Sequence, residues 1–130
     1  MKWQSVLLTL TVLSGCRHSS ASSTDVSSAN NVLSGKSYSR TFATAADPIT
    51  GRPASDFKHV LKFSMDGVNV SDNSSTFFGN PVESGTYTLE ASTLTLVLTF
   101  SSPFSHTDSY TVTEDFKTLI SPTGFALNLE

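Results

Sequence analysis

The chain has 130 residues but only one cysteine, one tryptophan and a charged fraction of 15%, and each scarcity excludes something. A single cysteine leaves no intramolecular disulfide, so the fold must stand on packing, unlike small secreted domains stapled by several bridges. The formal net charge is -3 with no long run of either sign, which argues against a nucleic-acid groove or a polybasic membrane patch. No apolar run approaches the about 20 residues of a membrane-spanning helix, and helical signals are nearly absent. What is left suffices for one domain, since a fold of about 100 residues buries roughly 60 to 70% of its unfolded surface. Trp3 stands near the start, whereas all nine phenylalanines and all three tyrosines lie from Tyr38 onward, so the expected core is built on Phe and Tyr.

The longest apolar stretch comes first. Lys2 gives a short positive region, and Val6 to Leu13 (VLLTLTVL) form an apolar run of eight that ends in Leu13-Ser14-Gly15-Cys16. That length suits the hydrophobic region of a secretory signal and is too short for a span. The closing residues (aliphatic, small, small, cysteine) resemble the bacterial lipobox at every position. The resemblance implies a signal peptide over residues 1–15, cleavage before Cys16, and lipid on the Cys16 thiol. The alternative is an ordinary secretory signal with a chance cysteine; against it, the only cysteine of the chain stands directly after the aliphatic-small-small triplet. With about 0.8 kcal/mol per buried methylene, three acyl chains would hold the protein essentially permanently. By the same resemblance, Arg17, where inner-membrane members carry Asp, implies the outer membrane of a bacterial envelope. Cleavage would remove Lys2 and leave seven basic against eleven acidic side chains, a mild acidity that favours solubility.

Residues 16–33 begin at the cysteine, and 17–33 hold six serines and little large or apolar before Val32 and Leu33. Such a segment cannot bury enough surface to order itself, so a flexible tether is expected. From Ser34 the pattern changes to short β-prone runs separated by Gly, Pro, Asn, Asp and Ser, expected to form one domain over residues 34–130. Phe57, His59, Leu61, Phe63 and Met65 share one face at period two, and Asp66-Gly67 reads as a hairpin turn into Val68 and Val70. Gly85 to Glu90 alternates apolar and polar, as do Leu94, Leu96, Leu98 and Phe100. Tyr110 and Val112, Phe116 to Ile120, and Phe125, Leu127 and Leu129 mark three further strands. The expected fold class is all-β, a small antiparallel up-and-down β-barrel of seven or eight strands, with a β-sandwich as the alternative. Short connections after Asp66 favour the barrel, because a sandwich usually needs Greek-key crossings.

The elements Gly35-Lys36-Ser37-Tyr38, Asp66-Gly67, Gly85-Thr86-Tyr87 before Leu94-Thr95-Leu96, and Tyr110 to Leu119 before Gly124 resemble those of small lipocalin-like barrels of bacterial lipoproteins. The likeness spans about residues 34 to 130. It departs from true lipocalins at the first strand, where their Gly-x-Trp is replaced by an aromatic, Tyr38, one position late. The resemblance implies an internal site for a small apolar ligand, with Phe57, His59, Phe63, Tyr87 and Leu96 as candidate lining residues.

Catalytic and metal motifs fail on spacing. Ser34-Gly35-Lys36-Ser37 ends like a phosphate loop but has Asn30 where the first glycine belongs, and no Gly-x-Ser-x-Gly elbow exists. His18, His59 and His106 lack metal-ligand spacing, and Asp72-Asn73-Ser74 lacks the glycine and distal glutamate of a calcium loop. Asp108, Glu114 and Asp115 read as solvated turn residues; His59, on the inward face, reads as a hydrogen-bonded histidine at a strand end. No cofactor, metal or catalytic residue is expected. The expectation is a membrane-anchored envelope lipoprotein acting as a binding or structural module through a protein partner, with carriage of a small apolar ligand as the alternative and a hydrolytic enzyme as the third reading.

Overall fold

The computed structural model describes residues 29–130; the expected signal peptide and residues 16–28 of the expected tether, Cys16 among them, lie outside these. Eight strands follow one another as β1 (Ser37–Thr44), β2 (Ser55–Phe63), β3 (Asn69–Asp72), β4 (Glu83–Glu90), β5 (Thr95–Ser102), β6 (His106–Val112), β7 (Thr118–Ile120) and β8 (Ala126–Leu129). Each pairs antiparallel with its neighbour in sequence, and β1 meets β8, closing an up-and-down barrel. The alternation read from the sequence is what closes it: on β4 and β5, Tyr87, Leu89, Leu96, Leu98 and Phe100 are buried while Thr86, Thr88 and Thr99 face water. A period of two puts one set inside and the other outside.

The interior is full. Tyr38, Leu61, Leu89, Leu96, Leu98, Phe100 and Leu119 have no exposed surface, and burial of each such side chain is worth about 1.5 to 3 kcal/mol. Phe63 stands edge-on to Tyr38 at 5.8 Å and to Tyr87 at 4.8 Å between ring centroids, the geometry aromatic quadrupoles prefer. The Tyr38 hydroxyl donates to the Phe116 carbonyl at 2.7 Å, and burial pushes its pKa up to about 12. Gly85 is required by close approach: a Cβ there would lie 2.2 Å from the Thr99 carbonyl oxygen, beside a register shift between β4 and β5.

The two ends differ. One end is closed by residues 29–33, which are helical, with Ala29, Asn30 and Leu33 buried. Asn30 stitches this segment to β4: its Nδ2 donates to the Tyr87 carbonyl at 3.0 Å, its Oδ1 accepts from the Leu89 amide at 2.7 Å, and its own carbonyl accepts from the Tyr87 hydroxyl at 3.1 Å. Packed structure therefore includes at least the five residues before the expected boundary at Ser34. The tether reading placed 29–33 with the serine-rich stretch; Leu33 and a fully bonded Asn30 give these residues the contacts that composition alone did not suggest. The β2–β3, β4–β5 and β6–β7 turns lie at this closed end, and the other connections form the opposite mouth.

Four local readings are corrected. Leu94, expected to open the alternation of β5, holds φ +51° in the turn before it. Met65, expected to continue the inward set of β2, is 84% exposed in the hairpin, because β2 ends at Phe63. Phe116, expected in a strand, holds φ +56° in the turn before β7. Phe125 precedes β8 and is 46% exposed at the mouth. Among the described residues no helix is long and apolar enough to cross a membrane.

Candidate functional site

The mouth holds the chemistry. Strand parity turns Arg40 and Phe42 of β1, Phe57 and His59 of β2, Asp72 of β3, Glu83 of β4, and His106 and Asp108 of β6 toward the barrel axis, above the sealed core. His59 pairs in register with Arg40, and Asp72 with Glu83. Two carboxylates directly opposite in a sheet repel, and here both are buried, at 2% and 7% exposure.

Each is answered by a histidine. His59 Nε2 lies 2.8 Å from Asp72 Oδ1; an ionised carboxylate only accepts, so Nε2 is the donor of this pair. The same Asp72 oxygen accepts from the Ser74 amide at 2.7 Å. His106 Nε2 lies 3.4 Å from Glu83 Oε2 and 3.5 Å from Asp108 Oδ2, and its ring stacks on Phe100 at 4.8 Å. Burial raises the Glu83 carboxyl above its usual range; His106 and His59 draw it down, and Asp72 and Asp108 push it further up. Burial, with Asp108 and Asp72 nearby, also raises the Tyr110 phenol.

Around this polar floor stands an aromatic and cationic rim. The Arg40 guanidinium lies 4.9 Å from the Phe42 ring centroid and 4.7 Å from that of Phe125. Arg52 sits 4.7 Å from Phe77, which packs on Phe57 at 5.1 Å and on Phe78 at 5.2 Å. Ile49, Phe78, Val82, Phe104 and Phe125 are exposed large apolar residues, all on mouth connections.

The candidate lining residues do not share a cavity. Phe63, Tyr87 and Leu96 are closed off in the core, while Phe57 and His59 stand at the mouth. A cavity of about 420 Å³ is lined by His59 together with Phe42, Asp108, Tyr110, Phe125 and Leu127, between β6 and the β7–β8 connection. A larger depression of about 600 Å³ lies on the outer wall among Lys62, Ser71, Ser84, Thr86 and Thr99; it is a hydroxyl-lined surface without paired ionisable groups. Among the described residues no group of three His, Cys, Asp or Glu is arranged to hold a metal ion.

Arg40, Asp72 and Glu83 were not among the expected site residues. Their signal lay in parity: Asp72 shares the face of Val70, Glu83 that of Tyr87, and Arg40 that of Tyr38. Chemically, the cluster can hold or move protons and can receive a positively charged group. Comparison with known protein families, curated proteins and solved structures finds no match.

Proposed function

We propose that the chain is a lipid-anchored lipoprotein of the bacterial envelope, destined for the outer membrane, which works by presenting the mouth of its barrel to a protein partner. The observation that carries the reading is the division of the barrel into a filled interior and a polar, aromatic-rimmed mouth. A core with Tyr38, Leu61, Leu96, Leu98 and Phe100 fully buried is filled by its own side chains, which favours a partner over the internal apolar ligand of the carrier reading. Where the interior of a small barrel is taken up by its own side chains, the mouth and outer surface are what it offers to a partner. The direction of the chain agrees: residues 29–33 join the barrel at the closed end, so an anchor on Cys16 leads into the end opposite the mouth. Exposed aromatic residues beside arginine, as at this rim, are the types enriched in protein interfaces.

Two measurements test it. Labelled palmitate should enter the wild type and not Cys16→Ser; equal labelling of both would remove the anchor. A fluorescent fatty acid titrated into the purified protein should give no saturable binding, and stoichiometric uptake would favour the carrier instead.

A further inference from the structure

The barrel wall is incomplete beside the mouth. The Val112 amide donates to the Leu94 carbonyl at 2.7 Å, and the Thr113 amide to the Thr118 carbonyl at 3.0 Å. Hydrogen-bonding direction alternates along an antiparallel strand. His106, Asp108 and Tyr110 therefore turn their backbone groups to β5, and Thr107, Ser109 and Thr111 turn theirs to the β7 side. Thr111 meets Ile120 there, but the β6–β7 pairing stops at that residue. Among the described residues the outward amides and carbonyls of Thr107 and Ser109 have no backbone partner. The 420 Å³ cavity lies along this open edge, with His59 and Asp108 in its lining and Phe42 and Phe125 as apolar walls.

We propose that this edge takes up a short extended segment of the protein partner as an added strand, and that a basic side chain of the segment enters the cavity beside Asp108. The proposal rests on the partner-presenting reading above and specifies how the partner is held. An edge strand offers main-chain hydrogen bonds for affinity and alternating pockets for selectivity. In either strand direction, the residue opposite Asp108 shares its face, so its side chain points inward toward Asp108, His106, Glu83 and the His59–Asp72 pair. That floor carries three carboxylates, of which Asp108 lines the cavity itself, and its one guanidinium, Arg40, is already stacked on Phe42 and Phe125. The charge selects a cation. The pairing of Thr111 with Ile120 bounds the edge below, so the site admits a few residues and not a growing sheet.

The test is to pan a display library of random short peptides against the full chain. Enriched peptides should be β-prone with one basic residue, and their affinity should fall at least about tenfold on Thr107→Pro or Ser109→Pro. Proline at these positions removes an outward amide without touching the β5–β6 ladder. If a proline variant fails to fold, N-methylation of alternate amides in the peptide makes the same test on the unaltered protein, with the same loss expected. Asp108→Lys should switch the enriched central residue from basic to acidic. The proposal is overturned if no peptide is enriched, or if affinity is indifferent to both the prolines and N-methylation. A concentration-dependent dimer dissolved by Ser109→Pro would seat a second copy on the edge and overturn it equally. None of these failures touches crosslinking from the rim in cells, which reports on the broader reading independently.

Discussion

At the scale of single residues, Glu83 is the group with the most to report. Its carboxyl is buried opposite Asp72, and burial raises its pKa, with His106 opposing. A folded-state pKa above the unfolded one means that the group favours the fold at low pH and weakens it as pH rises through the folded value. Glu83→Gln removes this penalty. We expect the variant to melt at a higher temperature than wild type at pH 7, with the advantage vanishing below the ordinary glutamate pKa of about 4.3. A melting-temperature series across pH checks this, and a variant less stable at pH 7 would show that the His106 contact outweighs desolvation. Asp66 behaves oppositely: the Asn69 amide, the Ser64 hydroxyl and the Val68 amide hold its carboxylate well below the usual range. Its contribution is present above the unfolded pKa and lost as pH falls toward the folded one, so Asp66→Asn should flatten the acid limb of the stability profile.

At the scale of elements, the closing segment and the short strands decide the shape. Asn30→Ala leaves the Tyr87 carbonyl and the Leu89 amide without their buried partners. The expected loss is about 1 to 3 kcal/mol, measurable by denaturant unfolding; a loss within a few tenths would mean that the segment does not hold the barrel shut. This segment also marks the limit of what the sequence made legible. The strands were readable because Leu96 to Phe100, Gly85 to Glu90 and Phe57 to Phe63 alternate with a buried face, and Asp66-Gly67 punctuates between β2 and β3. The packing of residues 29–33 was not, because Asn30 meets β4 nearly sixty residues away and a serine-rich neighbourhood hides two buried apolar side chains, Ala29 and Leu33. Phe116 and Phe125 were placed in strands because hydrophobicity does not distinguish a buried aromatic from one in a turn with φ +56° or one at a rim. His59 was read as inward and hydrogen-bonded, but its partner was beyond reach: Asp72 and Glu83 face each other only through the β3–β4 register, which spacing does not reveal.

At the scale of the whole molecule, the barrel has a filled core, one end closed by residues 29–33 and a polar mouth at the other. On the proposed function these features belong together, since a filled core assigns recognition to the rim. Ile49, Phe78, Phe104 and Phe125 stay exposed on that rim, where an isolated domain gains nothing from exposing them. The most direct test places a photo-crosslinking amino acid at Phe78, at Phe104 and, as the closed-end control, at Met65, which is comparably exposed, and irradiates intact cells. The account expects a discrete protein adduct from Phe78 and Phe104 and none from Met65; adducts from Met65 alone, or none from either mouth position, would contradict it.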